Sequence, residues 1–402
     1  MRGFLRQGVC LFFKAFSLVV LCVSTLHTVS HANPPSTTVK LPAFEVALPN
    51  YSYQFPKDHG VHATYKTEWW YYTGHLTAEN KKTYGYELTF FRTATLPADA
   101  TLPTLTNWLP KAFVLAHFAL TDVDANRFVF QSKFDRVNPY KQAFSTQPFG
   151  VALSNWQLTT VGSINHGKDP IVRLQATIPE GTKNPQSVAI DLTLTPTKPM
   201  VIHGKNGVSQ KADCKGCASH YYSYTRLATK GTVRQGSNTT SVTGASWMDH
   251  EFGSNQLTPN QVGWDWMAIQ LADGSDVMLY LLRQKKPAGG LDPNSSATWV
   301  SASGETQHLK LGQFELKPLG TWQSEKSGGV YPSQWALTIP SKGVTLVITP
   351  KIKGQELVFA SQLGLTYWEG ACSVLGHVGK QAVTGNAYTE LTGYAAPFEQ
   401  KI

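Results

Sequence analysis

Four kinds of pattern are missing from this chain, and each absence excludes a class of function. No cluster of Lys and Arg stands out in the body of the sequence, which excludes nucleic acid as a partner. No glycine-rich phosphate loop is present, which argues against a nucleotide-dependent enzyme. Beyond the N-terminal apolar run, no segment is long and apolar enough to span a bilayer as a helix. Amphipathic helical periodicity is almost absent too. Short runs of aromatic and β-branched residues, separated by Gly, Pro, Asn and Asp, take its place. The chain reads as all-β.

Hydrolase signatures fail in the same way. Ser246, Asp249 and His250 suggest a triad, but on a strand Asp249 faces away from the other two. Met248 occupies the second glycine position of a Gly-x-Ser-x-Gly elbow around Ser246. After His250-Glu251, Ser254 stands where a zincin has its second His.

The N-terminus reads as a secretory signal. Arg2, Arg6 and Lys14 precede the apolar run Ala15 to Leu26, and Ser30-His31-Ala32 is a small-x-small site, so cleavage is expected after Ala32 (residues 1–32). An exported, periplasmic or secreted chain of about 370 residues remains, with no transmembrane segment. Its charge of +6 is the +9 of the full chain less those three basic residues. Cys10 and Cys22 leave with the signal; Cys214, Cys217 and Cys372 stay. Cys214-x-x-Cys217-x-x-His220 has ligand-like spacing, and a disulfide, a zinc site or a redox pair fits it. A strand-like Tyr221 to Thr225 follows where a thioredoxin-type motif has a helix. At most one disulfide and no required metal are therefore expected.

Pro34, Pro35, Pro42 and Pro49 mark an extended arm over residues 33–56. An internal repeat follows. Trp69-Trp70 to Leu76, a turn, then Phe90-Phe91-Arg92 can be laid over Trp264-Asp265 to Leu271, a turn, then Leu281-Leu282-Arg283. Copies about 190–195 residues apart imply two β-barrel or sandwich domains. The Gly- and Ser-containing stretch Thr229 to Thr243 reads as the junction, giving domains 57–235 and 236–402.

Candidate chemistry gathers in Gly244 to Gly253. On a strand Trp247, Asp249 and Glu251 share one face, and carboxylates at i and i+2 lie roughly 6.5–7 Å apart at Cα. That is close enough for one charge to raise the other's pKa where water is excluded. The same geometry also suits a structural hydrogen-bond knot between two sheets. Glu68, Trp70 and Tyr72 share a face, as do His220, Tyr222 and Tyr224. With His117, Trp264 and Trp266 they suggest an aromatic pocket for a long apolar ligand.

Six motifs carry a resemblance: Asp58-His59-Gly60-x-His62, Thr67 to Gly74, Phe91-Arg92, Ala116 to Asp122, Tyr221 to Leu227, and Ser246 to Phe252. Together they make the chain resemble the AttH/CrtC-like family, which includes the carotenoid 1,2-hydratases. The resemblance implies two tandem lipocalin-like β-barrel domains packed against each other, and chemistry without a cofactor. It makes Trp247-x-Asp249 the match to the proton-donor element and His220-x-Tyr222 the match to the upstream element; the strand spacing, separately, makes Glu251 the residue that raises Asp249. Glu68, Trp70, His117, Trp264 and Trp266 are the expected ligand contacts. Three functions fit: acid-catalysed hydration of an isoprenoid-like alkene, lipid carriage beside a membrane ABC export system, and secreted hydrolysis.

Overall fold

The computed structural model describes residues 43–97, 110–137, 144–146, 149–162, 169–181, 184–255, 257–287, 289–359 and 366–397. The signal segment 1–32 and the arm up to residue 42 lie outside them.

Strands account for nearly all the regular structure, in keeping with the lack of helical periodicity. A first group runs β1 (Thr67–Ala78), β2 (Thr83–Ala94), β3 (Ala112–Asp122), β4 (Arg127–Arg136), β5 (Phe144–Thr146), β6 (Phe149–Leu153) and β7 (Trp156–Thr160). It continues with β8 (Val172–Ile178), β9 (Val188–Pro196), β10 (Val201–Ile202), β11 (Ser209–Gln210), β12 (Ala218–Gln235) and β13 (Asn238–Gly253). A second group runs β14 (Gln261–Leu271), β15 (Asp276–Gln284), β16 (Ser296–Val300), β17 (Thr306–Lys310) and β18 (Glu315–Gln323). It ends with β19 (Val330–Ile339), β20 (Val344–Pro350), β21 (Glu356–Val358), β22 (Thr366–Val378) and β23 (Gln381–Thr392). No helix among the described residues is long and apolar enough to cross a membrane.

Each group forms one antiparallel sheet. The first has the order β4-β3-β2-β1-β13-β12-β9-β8-β7-β6-β5, the second β17-β16-β15-β14-β23-β22-β20-β19-β18. The two orders match strand for strand over nine strands, and in both the opening strand pairs with the closing one. The hairpins Trp69–Arg92 and Trp264–Arg283 therefore stand at corresponding places, as the repeat predicts. Each order is an open path, so the expected barrels are half-barrels, each curled around its own apolar core.

The junction differs from the sequence reading. Thr229 to Thr243 is not a linker, because β12 and β13 are continuous through it and pair from Ser219↔Gly253 to Gln235↔Asn238. Gln235-Gly236-Ser237-Asn238 is a tight hairpin turn, with Gly236 at φ 61°. The first sheet ends at Gly253 and the second begins at Gln261. Turn residues in a hairpin and in a linker look alike in composition, which is why the boundary was misplaced by about one strand. Asp249 consequently belongs to the first sheet.

The two half-barrels pack outer face to outer face, β2 on β22, β1 on β23 and β12 on β14. A third apolar cluster fills the seam: Tyr71, Tyr221, Trp247, Trp266, Ala268, Met278, Tyr280 and Leu282. Gly85 allows a close approach. A Cβ built on it falls 2.5 Å from the Cβ of Ala371 on the facing sheet. Gly85→Val should thus force the sheets apart and cost about 1–3 kcal/mol. Urea unfolding at unchanged m-value checks this, and a variant as stable as the parent refutes the close packing.

Candidate functional site

Side chains directly opposite each other in antiparallel strands share a face. β13 lies between β1 and β12, so its register sorts the candidates. Trp70↔His250↔Tyr222 form one cross-strand row, and Tyr71↔Asp249↔Ser223 the next. The first row points into the core of the first half-barrel and the second points into the seam.

Trp247, Asp249 and Glu251 do share the seam face, as their spacing predicts. Asp249 Oδ2 accepts from the Tyr221 hydroxyl at 2.6 Å. Its Oδ1 accepts from Trp247 Nε1 at 2.6 Å and from the Ser223 hydroxyl. Trp266 Nε1 donates to Tyr221 at 3.0 Å, and Tyr71 meets Trp266 edge-on at 5.0 Å. Burial pushes the Asp249 carboxyl up to about 7; its three donors pull it down, and Glu251 adds to the rise. Desolvation wins because no cation touches Asp249.

Glu251 pairs with Lys211, 2.9 Å away, and accepts from Ser219. Arg92 lies 3.9 Å from Glu68 and Arg283 2.9 Å from Asp265. Lys211 is wholly buried with its ammonium 3.8 Å over the Tyr280 ring. Burial pushes its pKa down while Glu251 and Asp249 support its charge. Nothing in the local sequence marked Lys211, which lies in the irregular stretch before β12.

His203 links the two sheets. Ser223 donates its only hydroxyl proton to Asp249, so it accepts from His203 Nε2 at 2.7 Å. The other nitrogen, Nδ1, then accepts from Thr298 at 2.9 Å. Burial pushes His203 down to about 3, which keeps it neutral in this role.

His220 and Tyr222 were expected within reach of Asp249, and the register puts them on the opposite face. His220 Nδ1 faces the Gly207 carbonyl at 3.2 Å, and the ring lies 4.3 Å from Tyr51. The seam-facing neighbours in the same run are Ser219, Tyr221 and Ser223. Alternation from Asp249 was legible, but the pairing register that selects Tyr221 over Tyr222 was not.

Glu68 and Trp70 also point inward. Trp70 stacks on His250 at 4.9 Å. Glu68 Oε1 lies 2.7 Å from His62 Nδ1 and 2.9 Å from His250 Nε2. These are the one set among the described residues with donor atoms close enough to share an ion, all within 4.8 Å of one another. Both ring nitrogens already engage the Glu68 carboxylate, so the set reads as a hydrogen-bonded chain. Cys214 and Cys217 form a disulfide, and Cys372 is buried and free.

Trp264, Trp266 and His117 reach the seam. His117 bonds the Tyr367 hydroxyl at 2.6 Å and stacks on Phe359 at 4.5 Å. A second acidic group lies there unannounced by any motif: Glu87, Glu369 and Glu390, the last two directly opposite across β22–β23. Glu369 accepts from Tyr71, and Thr89 donates to Glu87 at 2.7 Å. Burial pushes Glu87 up to about 7, and desolvation together with Glu87 pushes Glu390 up to about 8.

These details belong to a two-domain, all-β protein of lipocalin-like architecture with a polar, aromatic seam. A family model described as AttH-like matches residues 46–394, and the chain belongs to that family. A crystal structure of an AttH from Nitrosomonas europaea is 30% identical, with TM-score 0.74, over 87% of this chain and all of that one. Kievitone hydratase from Nectria haematococca shares the fold at TM-score 0.65 and 16% identity, over 89% of this chain and 97% of that one. No curated protein sequence matches the chain.

The raised carboxyls predict an unusual pH dependence. A carboxyl with a raised folded pKa binds protons more tightly in the folded state, so its stabilising effect is lost as pH rises toward that pKa. His62, pushed up to about 9 chiefly by Glu68 against the opposing effect of burial, acts with the same sign above 6.5. Buried His59, His75, His117 and His203, pushed down to about 3, oppose it only below 6.5. Melting temperature should therefore fall from pH 6.5 to 8.5, and Glu87→Gln or Glu390→Gln should flatten that fall. Unchanged slopes in both variants would rule out these carboxyls as its source.

Proposed function

We propose that this protein binds a hydrophobic, alkene-bearing molecule at the aromatic seam and protonates it from Asp249, as a cofactor-independent hydratase. The observation that carries the reading is a buried carboxyl with three hydrogen-bond donors and no cation, walled by Tyr71, Tyr221, Trp247 and Trp266. Such a group is an acid available near neutral pH. When Asp249 is protonated the proton belongs on Oδ2, because Oδ1 already accepts from two donors, and the Tyr221 hydroxyl then accepts from it instead of donating.

In the forward reaction one alkene carbon takes the proton and the other becomes cationic. The faces of Trp247 and Trp266 stabilise that cation. Water adds to it and its surplus proton returns to Asp249, so alkene plus water gives alcohol. Lys211 keeps the neighbouring Glu251 paired, which leaves Asp249 as the seam-facing carboxyl of the Trp247–Glu251 run with no cation beside it. A fold neighbour that is a hydratase of kievitone makes that compound the first substrate to offer.

Export fits this reading. A disulfide at Cys214–Cys217 suits an oxidising compartment, and the N-terminal residues have the composition of a cleaved signal. The aromatic wall by itself would equally serve a lipid carrier working with a membrane export system, and one experiment separates the two. Kievitone, or an acyclic isoprenoid alkene, is incubated with the protein in ¹⁸O-labelled water and the products are weighed by mass spectrometry. The label should enter the product, and Asp249→Asn should lower the rate at least 100-fold with the melting temperature nearly unchanged. Ligand recovered unchanged at full occupancy identifies a carrier. A fully active Asn variant removes Asp249 from the chemistry.

A further inference from the structure

The turn end of the first half-barrel is polar where the rest of its inner face is apolar. Tyr84, Val233 and Val242 belong to the core. Two residues further along β12 and β13, on the same face, stand Gln235 and Thr240, and Asn238 follows. Asp122 lies opposite Tyr84 across β2–β3 and shares that face as well.

The hairpin that carries these residues is longer than its duplicate. Laying Trp69 on Trp264 puts Asp249 on Glu390, and so puts Thr240 on Gln381, where β22–β23 already turns. The two further rungs of β12–β13, Arg234↔Thr239 and Gln235↔Asn238, have no counterpart there. β1 stops at Ala78, opposite Val242, so these rungs project past it. Packing of the repeated fold does not require them.

Between this projection and the turns β1–β2 and β3–β4 lies a cleft of ≈ 610 Å³, open to solvent. That volume falls inside the usual range for small-molecule sites, about 300–1,000 Å³. Its floor is held in place by its own hydrogen bonds. Asp122, almost wholly buried, accepts from Gln235 Nε2 at 3.0 Å and from the Ala125 amide at 3.1 Å. Arg127 donates to Asn184 Oδ1 at 2.7 Å, which fixes its guanidinium at the wall. The rim side chains Gln186, Ser237, Asn238, Thr239 and Thr240 make no hydrogen bond to another described residue.

We propose that this cleft is a second binding site, for an uncharged polyhydroxylated molecule of the size and chemistry of a short oligosaccharide. Side-chain amides and hydroxyls both donate and accept, and so match a ligand whose hydroxyls do the same. An apolar ligand of the kind the seam suits would find little apolar surface here to cover. An anion drawn by Lys82 and Arg127 would face the Asp122 carboxyl at the floor. The cleft is independent of the seam, since the two share no residue.

The test presents the full chain, fluorescently labelled, to immobilised neutral di- to tetrasaccharides derived from cellulose, chitin and starch, and to their sulfated counterparts. At least one neutral sugar should retain the protein, and the same sugar free in solution should release it. Gln235→Ala and Asn238→Ala should each weaken that binding at least threefold, the loss expected for one net hydrogen bond. Asn238 is exposed at the turn, so its variant tests the site without disturbing the floor. Asp249→Asn should bind the sugar as the parent does, which keeps the fate of this site separate from that of the seam. Retention by no neutral sugar, retention by sulfated sugars alone, or unchanged binding in both alanine variants overturns the proposal.

Discussion

Everything functional in this molecule depends on the register of one strand. β13 is hydrogen-bonded on both sides, to β1 from Thr67↔Gly253 to Ala78↔Val242 and to β12 along its length. Its alternate residues therefore cannot choose their surroundings independently. Met248 and His250 enter the half-barrel; Trp247, Asp249 and Glu251 enter the seam. A slip of one residue would exchange the two sets and bury every charge against the wrong wall. Close packing at Gly74 and Gly244 opposes such a slip. A Cβ on Gly244 would lie 1.9 Å from the His75 carbonyl oxygen, and one on Gly74 2.4 Å from Ser246 Oγ.

The seam contains two kinds of buried acid, and their partners tell them apart. Glu251 has Lys211, and Asp276 has Lys198 at 2.7 Å and Arg226 at 2.5 Å. Asp249, Glu87, Glu369 and Glu390 have hydroxyls or indoles and no cation. Low dielectric makes an unpaired carboxylate costly, so burial raises the second group with no cation to oppose it, whereas at Asp276 Arg226 and Lys198 pull against the same rise. The cost of burying an acid is thus avoided in two ways within one interface, and only the protonated way leaves a proton to give.

Much of this was legible in the sequence, at one level of resolution. Aromatic and β-branched runs gave strands such as Val172–Ile178, and the repeated Trp…Arg hairpins gave the duplication, because both are local or self-similar signals. Asp249 stood out for the same reason, as an acid among tryptophans. Long-range pairing was invisible: Tyr221 and Tyr222 are equally aromatic, and only the register with β13 assigns one to Asp249 and the other to His250. Lys211 and Glu369 lie 40 or more residues from Glu251 and Asp249 and carry no motif. The junction was misplaced because Gly236 makes a turn, and a turn and a linker share their residues.

Duplication also explains why the acids meet. Tyr71 pairs with Asp249 across β1–β13, and Trp266 pairs with Glu390 across β14–β23. Laying Trp69 on Trp264 makes Tyr71 correspond to Trp266, and so makes Asp249 correspond to Glu390. The same step takes Ser223, opposite Asp249, to Glu369, opposite Glu390. When two copies of one sheet pack outer face to outer face, matching positions are brought to a common seam, and an acid at that position in each copy becomes a pair of acids in one low-dielectric space. Burial raises both, with Glu251 adding to the rise of Asp249 and Glu87 and then Asp249 to that of Glu390, to about 7 and about 8. The inner faces are under no such pairing, since each closes around its own core. They carry different residues: the first has His250 and Tyr222 where the second has Leu391 and Trp368.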